Sequence, residues 1–330
     1  MVSSNGSSEL QQNAAPIITV QNLTKRFGDV IAVDNLSFEV QDGEIFGFLG
    51  PNGAGKSTTL NIISSLLSYD KGELTIGGYH LDKDARRIKA LIGLVPQEIA
   101  LFSNLNAAEN VAYFAGLYGL KGAPLKAAVA EALVFVGLAE HAKKRAGKMS
   151  GGMKRRLNIA CGIAHHPRII ILDEPTVGVD AQSREHIMGS IRTLRDRGAT
   201  IIYTSHYMPE VQEICDRIAI IDHGRLVAIG TELELLEAVT DVKSIVIQAR
   251  FGDEAARSTL TEKLKLLPDV RYTSFNETGE ALRVDVALTH EDITPLMDIL
   301  IAQGVRVEAL NSEAPNLETT FLALTGRELR

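Results

Sequence analysis

The feature that most constrains this chain is the run Gly50-Pro51-Asn52-Gly53-Ala54-Gly55-Lys56-Ser57-Thr58, which follows the apolar stretch Ile45 to Leu49. Glycines at 50, 53 and 55 let the backbone curl so that successive N–H groups face inward. A helix beginning after Gly55 adds the positive end of its dipole, Lys56 a point charge and Ser57 a hydroxyl. The run satisfies the phosphate-loop pattern in the strand-to-helix setting that the pattern needs. A Gly-rich turn with a solvated lysine is the plain alternative, and the strand before it argues against that reading.

The segments around the loop repeat the same grammar. Short apolar runs at 17–20, 36–40, 92–95, 169–172, 200–204 and 218–221 are separated by turn signals and helix-forming stretches, which predicts a mostly parallel sheet covered on both faces. Between about 98 and 165 helix formers dominate (Ala107-Ala108-Glu109, Leu125 to Leu133), as expected of a helical subdomain inserted into the α/β core. The expected organisation is a Ser-, Asn- and Gln-rich tail over 1–15, disordered and without the basic start of a signal peptide; a nucleotide-binding domain over 16–239; and a C-terminal domain over 240–330. In that last part Ile245-Val246-Ile247, a stripe of Leu260, Leu264 and Leu267, two strands alternating at 282–286 and 305–309, and a stripe of Ile293, Leu296, Met297 and Leu300 predict a ferredoxin-like βαββαβ order. It holds no catalytic cluster, which points to regulation or dimerisation.

Composition excludes several classes. A formal net charge of -7 argues against a nucleic-acid binder, which needs a positive face to displace counterions. Cys161 and Cys215 have neither metal-ligand nor redox spacing and read as small apolar groups in a reducing compartment. His165-His166 precedes Pro167 without nearby Cys or acidic ligands and reads as a turn, not a metal site. No window supplies the roughly 18 apolar residues of a membrane helix, so if the protein serves a membrane, another chain spans it.

The second chemical signal is Ile169-Ile170-Ile171-Leu172-Asp173-Glu174, an apolar strand ending in two carboxylates, as in a Walker B segment. Neighbours on a strand point to opposite faces, so the two acids can divide their work. Asp173 would hold magnesium through its water shell, and Glu174 would orient and polarise an attacking water. Ser150-Gly151-Gly152 offers a hydroxyl, bare N–H groups and a helix start, although alone it is more simply an N-cap.

In order along the chain, the remaining motifs resemble those of ATP-binding-cassette (ABC) proteins. Ser150-Gly151-Gly152-Met153 resembles the signature, Gln97 in Val95-Pro96-Gln97-Glu98 the Q-loop, Val179-Asp180 the D-loop and His206 in Thr204-Ser205-His206 the switch histidine. The resemblance covers about 17–235. It implies ATP and Mg2+ as ligands, with Glu174, His206 and Lys56 in hydrolysis, residues 50–58, Ser150, Gly151, Gly152 and Asp180 on the nucleotide, and Ser57, Asp173 and Gln97 on magnesium. Phe27 stands where an adenine-stacking aromatic is often tyrosine. Met153 replaces the commoner glutamine. A head-to-tail dimer is also implied, in which each ATP lies between the phosphate loop of one copy and the signature of the other. The basic residues Lys143, Lys144, Arg145, Lys148, Lys154, Arg155 and Arg156 bracket the signature and read as a solvated face, with attraction of the partner cassette's nucleotide or a place near anionic lipid as alternatives.

The Ser-Gly-Gly-Met form, the run Thr204-Ser205-His206-Tyr207-Met208 and a tail helix from Leu317 to Leu322 resemble cassettes of the ABC-2 type, the group of daunorubicin-resistance and Nod-factor exporters. That resemblance implies an integral-membrane permease as partner, a peripheral place at the cytoplasmic face of the membrane, and a drug, lipid or glycan-like cargo. The rival expectations are a soluble ABC ATPase that remodels a macromolecular complex, and a ligand sensor in the C-terminal domain with the ATPase as its switch.

Overall fold

We describe a computed structural model covering residues 15–238, 242–251, 254–267, 270–275, 281–287, 293–313 and 316–325. The expected N-terminal tail, apart from Ala15, lies outside the described residues. In chain order the elements are β1 (Ile18–Phe27), β2 (Val30–Val40), β3 (Ile45–Leu49), α1 (Lys56–Ile63), β4 (Lys71–Ile76), β5 (Tyr79–His80), α2 (Leu81–Leu91), β6 (Ile92–Val95), α3 (Ala107–Leu117), α4 (Gly122–Phe135), α5 (Gly151–Ile163), β7 (Ile169–Asp173), α6 (Ala181–Asp196), β8 (Thr200–Ser205), α7 (Met208–Ile214), β9 (Arg217–Asp222) and β10 (Arg225–Gly230). Then come α8 (Glu232–Glu237), β11 (Val242–Arg250), α9 (Glu254–Lys265), β12 (Val270–Phe275), β13 (Ala281–Ala287), α10 (Thr294–Ala302), β14 (Arg306–Glu313) and α11 (Leu317–Thr325).

One sheet has the order β2-β1-β4-β5, and a second the order β10-β9-β3-β8-β7-β6. In the second, β3, β6, β7, β8 and β9 run parallel, and β3 and β8 are buried along their whole length. That is why these strands read as continuous apolar runs without alternation. Their register places the functional ends side by side. Leu49 pairs with Ser205, Asp173 with Thr204 and Val95 with Leu172, so the loops after β3, β6, β7 and β8 leave the same edge together.

The helical stretch forms α3, α4 and α5, which pack on one another. Asn106 and Glu109 make a reciprocal capping box at the start of α3. Buried Asn110 receives the Phe102 N–H at 2.8 Å and donates to the carbonyls of Phe102, Leu105 and Asn106, which fixes the chain that leads in from the loop after β6.

The compact units divide at 226/227, earlier than the expected 239/240. Helix α8, opened by a Thr231–Glu234 capping box, packs on α11, which draws 227–238 to the C-terminal elements. In that unit the sheet order is β12-β13-β11-β14, with every pairing antiparallel. With α9 and α10 in the crossovers this is the split βαββαβ arrangement. Ile245, Ile247, Leu282 and the helix residues Leu260, Leu264, Leu296 and Leu300 form its core. Arg306 and Glu308 are exposed while Val307 packs inward, the expected alternation of a half-wet sheet.

Candidate functional site

The turn from β3 into α1 is shaped by close backbone approaches. A Cβ at Gly50 would lie 2.3 Å from the Ile221 carbonyl oxygen, and one at Gly55 would lie 2.4 Å from that of Ala32. Gly55, at φ 99°, precedes α1 with no side-chain cap, so the first N–H groups of that helix keep the geometry of an anion cradle. Lys56 is buried, and its Nζ donates to the carbonyls of Gly50 and Pro51, the latter at 3.1 Å. Burial lowers the pKa of its ammonium, while the carboxylates of Glu174 and Asp173 work against that shift.

Asp173 ends β7 and is held from two sides: Ser57 Oγ donates to Oδ2 at 3.2 Å and Thr204 Oγ1 to Oδ1 at 2.6 Å. Thr204 also accepts the backbone N–H of Glu174 at 2.9 Å. Glu174 lies past the end of the strand, at φ 46°, and is buried. Strand alternation therefore does not separate the two acids, as the sequence had suggested; a left-handed residue does, turning the chain out of the sheet. The Glu174 carboxylate accepts Gln97 Nε2 at 2.9 Å and lies 3.3 Å from His206 Nδ1. Gln97 follows β6 and half-exposed His206 follows β8, so three strand ends converge on one buried acid.

Ser57 and Asp173 bring a hydroxyl and a carboxylate oxygen within 3.2 Å of each other, and Gln97 brings its carboxamide to the neighbouring Glu174. Oxygen-only donors of this kind suit a hard divalent cation that shares its shell with phosphate. The residues therefore fit Mg2+, which when bound would neutralise charge between phosphate oxygens. Phe27, at the end of β1, is 50% exposed with the Lys25 ammonium 5.3 Å from its ring centroid. Phe27 is therefore not a core residue, and its ring is open to solvent.

The signature residues stand elsewhere. Ser150 caps α5 by accepting the Met153 N–H at 3.3 Å. Gly152 lies against Ser183 and Asp180, and Asp180 caps α6 by accepting Ser183 N–H and Oγ at 2.8 and 2.9 Å. These hydrogen bonds hold the exposed Asp180 carboxyl below its ordinary range. The chain thus brings Lys56, Ser57, Gln97, Asp173, Glu174 and His206 together and sets Ser150, Gly151, Gly152 and Asp180 in a separate group.

Some of the basic stretch departs from a solvated face. Lys143, Lys144, Arg145 and Lys148 are exposed, but Arg155 is buried and donates to the Pro96 carbonyl at 3.0 Å, where desolvation lowers its pKa against the pull of Asp173 and Glu174. Its position one helical turn after Gly152, facing inward on α5, explains the difference. Sequence reasoning also passed over Thr204, although it lies in the quoted Thr-Ser-His run, and Glu210, four residues past His206. His165 stacks on Tyr118, with ring centroids 3.5 Å apart, and its Nε2 is 3.1 Å from the Ile92 carbonyl oxygen. Burial pushes its pKa down to about 4.

A strand-to-helix phosphate cradle facing paired acids defines a P-loop nucleotide hydrolase. The family model described as ABC transporter matches residues 33–177. The linearmycin resistance ATP-binding protein LnrL of Bacillus subtilis (strain 168) is 42% identical over 95% of this chain and 100% of its own length. A Nod factor export ATP-binding protein I from Burkholderia lata is 38% identical over 95% and 98%. Among solved structures, an ATP-binding subunit of an ABC transporter superposes with a TM-score of 0.63 at 26% identity, covering 68% of this chain and 93% of that one. The dimeric post-hydrolysis state of the cassette MJ0796 with ADP and Pi gives 0.60 at 28%, covering 65% and 98%. The chain belongs to the ABC transporter family, as an ATP-binding subunit with ATPase activity.

Proposed function

We propose that this protein is the ATPase of an ABC-2-type exporter, working as a pair of cassettes beneath a separate membrane permease. The observation that carries this reading is the meeting of Gln97 and His206 on the Glu174 carboxylate, beside the Lys56–Ser57 cradle. In this reading residues 50–58 wrap the phosphates with Lys56 on the β and γ groups, and Phe27 stacks on adenine. Ser57, Asp173 and Gln97 hold Mg2+. Glu174 polarises the attacking water, and His206 holds Glu174 and the γ-phosphate in register. Ser150, Gly151, Gly152 and Asp180 serve the nucleotide of a second copy, which accounts for their separation from the cradle within one chain.

Among the described residues no helix is long and apolar enough to cross a membrane, so transport needs another polypeptide. A cleft of about 890 Å³ between α2, β6 and α3, lined by Leu94, Pro96, Phe114, Leu117 and Tyr118, is its docking place. It adjoins the Gln97 segment, so seating of the permease and closure on ATP are linked, each favouring the state that the other binds best. The names of the relatives, concerning linearmycin resistance and Nod factor export, support a lipid-, drug- or glycan-like cargo. The C-terminal unit serves regulation or dimerisation, and the complex sits at the cytoplasmic face.

The test is Glu174→Gln, which keeps the shape of the side chain and removes the charged base. It should bind ATP normally, lose turnover on the order of a hundredfold or more, and form an ATP-dependent dimer visible by light scattering. A variant that hydrolyses at the normal rate, or remains monomeric with saturating ATP and Mg2+, refutes the reading.

A further inference from the structure

Glu210, in the first turn of α7, is 3% exposed, and its hydrogen-bond and charge partners Thr176, Tyr203, Ser205 and Arg184 are not residues assigned to nucleotide. Its carboxylate nevertheless gathers groups from three segments around the site. Oε2 accepts Thr176 Oγ1 at 2.7 Å, Tyr203 OH at 2.7 Å and Ser205 Oγ at 3.2 Å. Oε1 lies 3.1 Å from Arg184 Nε, a charge contact without an aligned hydrogen bond.

These partners are not scattered. Ser205 immediately precedes His206, and its Oγ accepts the N–H of Tyr207 at 2.9 Å, closing a turn whose apex is His206. A hydroxyl has one proton. Directed at the charged Glu210 oxygen, it leaves the Ser205 lone pairs free for the Tyr207 N–H. Thr176 lies two residues past Glu174, in the segment where Val177 N–H reaches back to the Glu174 carbonyl at 3.3 Å. Arg184 lies on α6 one turn beyond Asp180, with its guanidinium 5.1 Å from the Tyr207 ring centroid. Burial, then the charge of Glu210, push the Tyr203 phenol up, so that it stays a donor.

We infer that Glu210 is a positioning residue for ATP hydrolysis, whose buried carboxylate holds the His206 turn and the segment after Glu174 in one fixed relation. The inference rests on the assignment of Glu174 and His206 to hydrolysis. It concerns a residue outside every family motif that the sequence displayed. A carboxylate that takes three hydroxyl donors and faces an arginine has an arrangement that the neutral amide cannot reproduce: glutamine offers one acceptor oxygen and turns two N–H donors on groups that are themselves donors.

The experiment is a double-mutant cycle on the full chain, with ATPase kinetics, ATP titration and thermal melting measured on each variant. Glu210→Gln should lower kcat about tenfold while ATP affinity stays within about twofold, a split that separates positioning from binding. In the His206→Ala background the same substitution should have a clearly smaller effect, because one of the two groups it positions is gone. Ser205→Ala, which breaks the same relay at a small side chain, should behave alike and serves if Glu210→Gln does not fold. Effects of Glu210→Gln or Ser205→Ala that multiply with His206→Ala, or an unchanged kcat in either single variant, overturn the inference. Glu174→Gln is measured in parallel. If it is inactive while Glu210→Gln retains kcat, only the role of Glu210 falls; if it is fully active, the assignment of the site falls and this inference with it.

Discussion

At Gly50–Ser57 and at Ser150–Gly152 a glycine-bearing turn launches a helix, and the two turns are held by opposite means. The first is formed by main chain against main chain: Gly50 and Gly55 pass within a Cβ's reach of the Ile221 and Ala32 carbonyls, and no side chain caps α1. In the second, the hydroxyl of Ser150 caps α5, and the room at Gly152 is limited by the Ser183 side chain. Around the first, Asp173, Glu174, Gln97 and His206 are joined by hydrogen bonds and a close His206–Glu174 contact across four strand ends. Around the second, the described bonds are local caps. In the proposed reading the first turn and its acids would hold a nucleotide within one copy, and the self-capped second turn would meet the nucleotide of another.

The comparison can be broken most directly at Lys56. Lys56→Ala should weaken ATP binding about a hundredfold, the value of a charge-assisted contact of roughly 3 kcal/mol; a titration giving equal affinity would leave the cradle without its charge. Next in size is a matched pair of glycine replacements followed by melting. Gly50→Ala sets a Cβ against a main-chain oxygen that cannot swing away and should cost about 3 kcal/mol, whereas Gly152→Ala meets Ser183, whose Oγ can rotate away but whose Cβ, at 2.8 Å, cannot, and should cost about 2 kcal/mol. Equal losses would show that the two turns are not held differently. Ser150→Ala should cost about 1 kcal/mol of stability through the lost cap. ATP binding by the monomer should stay unchanged and dimer-dependent hydrolysis should fall; a loss of monomer affinity would place Ser150 in the cradle of its own chain.

The smallest effect concerns pH and the far end of the signature helix. His165 has a folded pKa near 4 against an ordinary 6.5. Between those values the unfolded chain binds a proton that the folded chain refuses, so stability falls as pH drops through that window and levels off below it. His165→Phe, which keeps a ring against Tyr118, should remove on the order of 1 kcal/mol of that dependence. Melting curves from pH 7 to 4.5 with the same slope in both proteins would remove His165 from the account.

Much of this molecule was legible in its sequence, for reasons that differ from place to place. The parallel strands could be read because burial on both faces makes them unbroken apolar runs, as at Ile169 to Leu172. The phosphate turn could be read because only glycine tolerates its main-chain approaches. The C-terminal topology followed from two-residue alternation and leucine stripes. What escaped was long-range. Burial of Arg155 among basic neighbours depends on which side of α5 meets the Pro96 carbonyl. The position of α8 depends on α11, some eighty residues later in the chain. The departure of Glu174 from the strand is a backbone property that its residue type does not announce.

That departure has a consequence for how this enzyme can change. Among the described residues with left-handed backbone other than glycine, Glu174 alone is buried. Such a conformation costs about 1 kcal/mol or more for a side chain of this kind, and less for asparagine. With Glu174 in the role proposed above, selection for heat resistance alone would therefore drift toward asparagine at 174 and silence hydrolysis on the way. Durability and turnover pull this one position in opposite directions, and the chain has kept the less comfortable residue.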